Sequence, residues 1–266
     1  MKIVTYNLRC IWDKWDGVNS FIHRAGMIYE KISTEMPDVI AFQEVVEKSR
    51  DFLIKMFPEY AFYGHFRNED YSGEGVFTAV KKDSVEVLGY ENFWLSPTPY
   101  IAGSRYENQS PCPRTCLVVT LRHKKSGKVM RIYNTHLDHI SDEARQNGMN
   151  SILEAIIKSN QNAEYPFILL GDFNAHPGDG VIKKCDNFKN PEITDITKGI
   201  PYTFHDFGKK QEKIDYIYMT TDLKKNLKEV YLWDDVYVWH KDVYHGSQVP
   251  AIYLSDHYPI CAELDI

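Results

Sequence analysis

Ile168-Leu169-Leu170-Gly171-Asp172-Phe173-Asn174-Ala175 is the stretch on which the reading of this chain turns. An apolar run from Phe167 to Leu170 breaks at Gly171 into two short polar side chains one residue apart, the pattern of a buried strand opening into a loop. Asp172 and Asn174 then share a face, because side chains two apart in an extended chain point the same way. A polar strand end taken alone is more often a turn. Four further stretches repeat the pattern.

Upstream, Lys2 to Leu8 reads as a strand ending on Asn7, and Asp38 to Val45 as a second buried strand ending in the carboxylate of Glu44. Between them Phe21, Ile22, Ala25, Ile28, Tyr29 and Ile32 fall at helical spacing and predict an amphipathic helix from about Asn19 to Thr34, closed by Pro37. If the two strands are parallel neighbours, Asn7 and Glu44 lie side by side at one sheet edge. A short helix is expected near Ser49 to Met56, with strands near Tyr60 to Tyr63, Val76 to Val80 and Val85 to Leu88, then an aromatic turn from Phe93 to Pro99. Cys116 to Arg122 and Val129 to Asn134 form a hairpin-like pair that runs into His136. Ser141 caps a helix whose first turn carries Asp142 and Glu143, suited to the positive end of the helix dipole. Downstream of the central strand come a short helix after Gly178, a strand from Lys213 to Met219 that buries Asp215, and an aromatic segment from Val230 to Trp239. A last strand from Tyr258 to Leu264 follows Ser255-Asp256-His257.

The chain has 266 residues, 43% of them hydrophobic, enough for one large α/β domain, and no linker, low-complexity stretch or short repeat divides it. A net charge of -6 leaves out the overall basic field of a protein that grips long nucleic acid through many phosphates. The start of the chain lacks the basic and apolar regions of a signal peptide, no apolar run nears the ~20 residues of a membrane span, and the five cysteines are scattered. The expectation is a cytoplasmic protein with reduced thiols.

Tyr6-Asn7, Phe42-Gln43-Glu44, Asn134-Thr135-His136-Leu137, Gly171-Asp172-Phe173-Asn174, Ile214-Asp215-Tyr216 and Ser255-Asp256-His257-Tyr258-Pro259 follow one another in the order seen in a known family. The chain resembles the endonuclease/exonuclease/phosphatase superfamily, the DNase I-like metal-dependent phosphoesterases, over nearly its whole length. The resemblance implies a four-layer α/β sandwich, two facing mixed β-sheets flanked by helices, in a single domain spanning 1–266.

Hydrolysing a phosphate ester requires neutralising charge on phosphoryl oxygens, orienting a water in line and helping the leaving oxygen depart. Within the resemblance, Glu44 is the first choice for a Mg²⁺ ligand, with Asn7 and Asp256 beside it and Mn²⁺ as a substitute ion. Asp172 is the candidate for orienting and deprotonating the attacking water, and Asn174 for holding the phosphate or that water. The family implies that Asp215 partners His257 and keeps it charged, with His136 a second donor to the phosphate.

Some positions separate the chain from its relatives. Arg9 stands where DNA-repair members usually carry an acidic residue, which disfavours an abasic-site nuclease. Asp138 and His139 either add a carboxylate behind the site or cap the following helix. Arg105 and Arg114 are candidates to hold a second phosphate or a carboxylate, or are surface ion pairs. Tyr202 to Phe207, with His205 at its centre, is a candidate wall that stacks on a base or sugar. Tyr231, Trp233, Tyr237 and Trp239 alternate as a strand face rather than as a membrane-inserting hairpin.

The expected function is a Mg²⁺-dependent phosphodiesterase or phosphatase acting on a small phosphoester or a short nucleic-acid end, with no membrane and no obligate protein partner. A nuclease or deadenylase on longer nucleic acid is the alternative within the family, and a non-catalytic phosphate-binding module the alternative outside it.

Overall fold

A computed structural model describes residues 1–238 and 250–266. The first sheet is built from β1 (Lys2–Asn7), β2 (Val39–Val45), β3 (Tyr60–Phe66) and β4 (Gly75–Lys81), joined by β11 (Leu227–Leu232) and β14 (Ile260–Leu264). Its order is β11-β14-β1-β2-β4-β3. The second sheet, β5 (Val85–Trp94), β6 (Thr115–His123), β7 (Val129–His136), β8 (Phe167–Asp172), β9 (Ile193–Asp195) and β10 (Asp215–Thr220), is one continuous stretch of chain ordered β5-β6-β7-β8-β10-β9. A small ribbon pairs β12 (Val236–Val238) with β13 (Ala251–Tyr253). The helices are α1 (Asp13–Asp16), α2 (Phe21–Glu35), α3 (Glu47–Met56), α4 (Asp142–Asn162), α5 (Gly180–Asp186) and α6 (Thr221–Lys224).

Each sheet holds one parallel pair, and each pair is joined by the helical crossover that parallel strands require. β1 pairs β2 from Ile3↔Val39 to Asn7↔Gln43, across α2. β7 pairs β8 from Arg131↔Phe167 to His136↔Asp172, across α4. In each sheet the parallel pair is followed by an antiparallel neighbour, β4 beside β2 and β10 beside β8. The strand ends that bear polar side chains are therefore the carboxyl ends of two equivalent parallel pairs.

Alternation along these strands makes the layers. Ile3 and Ala41 of one sheet meet Leu117, Ile132, Leu170 and Ile217 of the other between the sheets. The opposite faces carry Tyr6, Ile40 and Phe42 against Ile28, Ile32 and Leu53, and Tyr133, Phe167 and Leu169 against Met149, Ile152 and Ile156. Two facing mixed sheets with helices outside are the architecture that the family resemblance implies. Near the site the apolar middle layer turns polar. Gln43 Nε2 donates to Asn134 Oδ1 at 2.8 Å, and Asn134 Nδ2 donates to the carbonyls of Phe42 and Phe77, each at 3.1 Å.

Several local expectations change. The predicted helical stripe is rotated: Ile22 is 76% and Tyr29 42% exposed, while Arg24 is fully buried. Arg24 donates to the carbonyls of Leu8 and Leu254, both at 2.9 Å, and of Asn19 at 2.7 Å. A guanidinium can be buried where backbone acceptors from three separate segments converge on it. Phe93 and Trp94 end β5 rather than forming a turn, and the three-residue strands β9 and β13 have too little sequence to show a period. Tyr231 and Tyr237 lie on β11 and β12, with Trp233 buried between these strands; Trp239 lies outside the described residues.

Candidate active site

The carboxyl ends of the two parallel pairs open into one cleft of about 720 Å³. Three residues at or just beyond strand ends, Arg9 (φ 63°), Glu44 (φ 57°) and Asn174 (φ 48°), hold the left-handed backbone that few side chains adopt. Such conformations persist only where the surroundings over-determine them, and here they turn side chains from the sheet edge toward the cleft.

Asn7 is the hub. Its Nδ2 donates to Glu44 Oε1 at 3.1 Å and to Asp172 Oδ2 at 3.0 Å, and its Oδ1 accepts from the backbone N–H of Arg9 at 3.0 Å. One amide thus ties a carboxylate of the first sheet to a carboxylate of the second. The second oxygen of Glu44 accepts from the Cys10 N–H at 2.8 Å. Asp172 Oδ1 accepts from the Asn174 N–H at 2.9 Å, and the Asn174 side chain donates to the Leu137 carbonyl at 3.1 Å.

Two histidines flank Asp172. His136 Nε2 stands 3.4 Å and His257 Nε2 3.9 Å from Asp172 Oδ2. On its other side His257 Nδ1 is 2.8 Å from Asp215 Oδ2, a bond that joins the loop before β14 to β10 of the second sheet. Asp215 is fixed in turn by the Thr203 hydroxyl, which accepts from the Asp215 N–H at 3.1 Å.

These contacts give the two histidines opposite characters. Burial alone would lower the pKa of His257, but the charges of Asp215, Asp172 and Asp256 outweigh it and raise the value to about 10. Burial lowers that of His136 well below the ordinary histidine range, and the cations Arg114 and Arg67 push the same way. His257 is therefore an imidazolium at neutral pH and His136 a neutral ring. Burial and the neighbouring Asp215 raise the pKa of Asp172. Glu44 is held low despite its burial, chiefly by the Cys10 N–H and the charge of His257.

The donor set suits a hard divalent ion. Glu44, His136 and Asp172 offer ligand atoms within 4.8 Å of one another, and of these the two carboxylates are the oxygen donors such an ion prefers, with Glu44 held in ionised form. Asn7 braces this group. Asp256 stands differently: its Oδ2 is 3.2 Å from the Arg9 guanidinium and its Oδ1 accepts from the Ser255 hydroxyl at 3.1 Å. Arg9 also binds Asp16 at 3.0 Å.

The structure thus brings together Asn7, Glu44, His136, Asp172, Asn174, Asp215, Asp256 and His257. It separates the three residues expected to bind substrate. Arg114 is buried and lines the cleft. Arg105 is exposed, bonds the Gln109 carbonyl at 3.4 Å and is not among the lining residues. His205 is 1% exposed and stacked on Tyr258 with centroids 4.0 Å apart; its neighbour Phe204, packed on His257, forms the wall instead. Asp138 does not cap α4, whose N-cap is Ser141: its Oδ1 accepts from the N–H groups of Ile140 at 3.0 Å and Ser141 at 2.7 Å in the turn before the helix, and its Oδ2 from the Ser110 N–H at 3.2 Å. Arg67 and Glu74, paired with each other on the cleft wall, were not singled out in the sequence, where charges flanking a Gly-containing loop read as solvated.

Among the described residues no helix is long and apolar enough to cross a membrane. A model of the Endonuclease/Exonuclease/phosphatase family matches residues 4–257. Among solved structures, the chain is similar to the endonuclease/exonuclease/phosphatase from Bacteroides vulgatus, at 27% identity and a TM-score of 0.81, covering 99% of this chain and 98% of that one. The mannosyl-6-phosphatase of Bacteroides thetaiotaomicron VPI-5482 superposes with a TM-score of 0.88 over 100% of both chains at 23% identity. The human Nocturnin catalytic domain with bound sulfate superposes at 0.71, with 17% identity over 98% of this chain and 92% of that one. No curated protein sequence matches.

Proposed function

The chain belongs to the endonuclease/exonuclease/phosphatase family, whose members are hydrolases of phosphate esters, and from that premise we propose that it is a Mg²⁺-dependent phosphoesterase acting on a small phosphoester. The observation that carries the reading is the single Asn7 amide that joins Glu44 to Asp172, with the His257 imidazolium beside them.

Each residue then has a task. Glu44, braced by Asn7 and the Cys10 N–H, would hold the ion, which supplies Lewis-acid neutralisation of a phosphate oxygen when bound. Asp172, positioned by the Asn174 N–H and the Asn7 amide, orients the attacking water and accepts its proton. His257, kept charged by Asp215, faces the phosphoryl oxygens as a cation. His136 is neutral and donates a hydrogen bond without adding charge. Removing one such donor typically costs about 2.7–4 kcal/mol in the transition state.

Three observations support a small substrate. The cleft volume, about 720 Å³, lies within the range of small-molecule sites, the net charge is -6, and Glu74 and Glu212 share its wall with the arginines. A sugar phosphate is the leading candidate, since the mannosyl-6-phosphatase aligns over the full length of both chains. The test is hydrolysis of p-nitrophenyl phosphate, bis-p-nitrophenyl phosphate and hexose 6-phosphates with Mg²⁺, with EDTA, and by Asp172→Ala. Turnover that persists in EDTA or in the variant would refute the assignment, and cleavage of polynucleotides in preference to all of these would favour a nuclease.

A further inference from the structure

Arg67 and Arg114 stand together on the cleft wall, and their chemistry goes unused in the hydrolytic step. Arg114 is 4% exposed, yet its Nε and Nη1 have no hydrogen-bond partner, and neither has Nε of Arg67. Buried N–H groups of charged side chains are seldom left unpaired, because each forfeits its solvation. The remaining Arg114 nitrogen, Nη2, is 2.9 Å from His139 Nδ1. Burial and the adjacent Arg114 cation lower the pKa of Arg67, to about 10.

The hydrogen bonding of the pair is uneven. One carboxylate, Glu74, serves both guanidiniums: it pairs directly with Arg67 and lies 3.8 Å from Arg114 Nη1. Its second oxygen accepts from the Cys10 thiol at 2.7 Å. Glu44 and Asp138 also act on the pair through space, Glu44 on Arg67 and Asp138 on Arg114, so what the wall lacks is hydrogen-bond acceptors for its three buried N–H groups. His139 adds no compensating charge. Its pKa is lowered by burial and then by Arg114, so it is a neutral ring beside them.

Position says what completes the group. Arg67, Arg114 and His139 line the same cleft as Glu44, Asp172 and His257. Behind the two arginines a crevice of about 10 Å³, bordered also by Glu44 and His136, has room for one water and not for a phosphate. An anionic acceptor can reach these N–H groups only from the cleft side, as part of the molecule whose phosphate reaches Asp172. Guanidinium N–H groups recognise phosphate and carboxylate alike.

We propose that Arg67, Arg114 and His139 form an anion subsite, so that the preferred substrate is a small phosphoester carrying a second phosphate or carboxylate on the same scaffold. This rests on the hydrolase reading above and refines it.

Three hexose ligands of similar size test it: glucose 6-phosphate with one anionic group, fructose 1,6-bisphosphate with a second phosphate, and 6-phosphogluconate with a carboxylate. Turnover is measured with Mg²⁺, and binding by calorimetry in EDTA, where hydrolysis is suppressed. At least one doubly anionic ligand should exceed glucose 6-phosphate by tenfold or more in kcat/KM and in affinity, and which one does so identifies the second group. Arg67→Gln should bring the ratio close to one. Arg67→Gln combined with Glu74→Gln, which removes the ion pair as a unit, should do the same if the single variant folds poorly. Equal handling of all three ligands by the wild type, or a ratio that survives both variants, overturns the subsite. Absence of turnover on every phosphoester sinks the hydrolase reading instead, and the calorimetric ratio then decides the subsite alone.

Discussion

Gln43 of β2 donates its side-chain amide to Asn134 of β7 at 2.8 Å, a hydrogen bond that spans the gap between the two sheets beneath the cleft. Both residues are fully buried, so neither has water to fall back on. The layer that separates the sheets is apolar elsewhere, and an amide pair fixes direction and register where apolar contact would not.

Gln43→Ala should therefore destabilise the protein by about 1–3 kcal/mol, the usual penalty for leaving a buried polar partner unsatisfied. Urea denaturation checks this. Because Glu44 is the next residue, turnover should fall as well, and a variant with unchanged midpoint and unchanged rate would show that the tether is dispensable.

Asp172→Asn keeps the shape of the side chain and removes the proton acceptor. Turnover should drop about a hundred- to ten-thousand-fold, the range for losing a general base, with only a small change in melting temperature. Steady-state kinetics and calorimetry on the same preparation separate a chemical loss from a folding one.

Replacing Asp215 with Asn takes away the main charge that raises the pKa of His257. Burial, which opposes protonation, is then less well offset, so the ring should lose its proton at lower pH. An NMR titration of His257 reads the shift directly. The alkaline limb of the kcat profile should move to lower pH with it; a titration curve identical to the wild type would remove Asp215 from this role.

Glu44→Gln exchanges the ionised oxygen donor for a neutral amide. The Mg²⁺ concentration giving half-maximal activity should rise at least tenfold, and calorimetric Mg²⁺ binding should weaken in parallel. An unaltered titration would point to another ligand.

His205 gives stability a pH dependence of its own. Burial lowers its pKa to about 4 from an unfolded value near 6.5. The unfolded chain then binds the proton more readily than the folded one, so the contribution is intact above about pH 6.5 and is lost as pH falls toward 4. Urea midpoints measured across that window should decline less steeply in His205→Gln than in the wild type.

The strand ends that carry the site were legible because they are written in short local patterns, and the two-sheet sandwich because those motifs together carry the family resemblance. An apolar run ending in Asn7, Glu44, His136 or Asp172 marks a buried strand that delivers a polar group to a sheet edge, two of them in each sheet. What stayed hidden depends on distant partners. Arg24 is buried because the carbonyls of Asn19, Leu8 and Leu254 meet around it, and nothing in the helical spacing near Phe21 announces Leu254. Arg67 and Glu74 sit at the two ends of a polar loop, where charge ordinarily means solvent, and only the packed cleft wall turns them inward. Arg105 and Arg114 looked equivalent in sequence; the structure exposes one and buries the other.

Glu44 rides on the first sheet and Asp172 on the second, so the spacing between these two carboxylates is set by how the two sheets seat on each other. A change of side-chain volume at Leu117 or Ile217, in the layer between the sheets, would slide one slab against the other and shift Glu44 relative to Asp172 with no cleft residue substituted. Variation in the turnover of relatives with identical cleft residues is then to be sought in the middle of the sandwich.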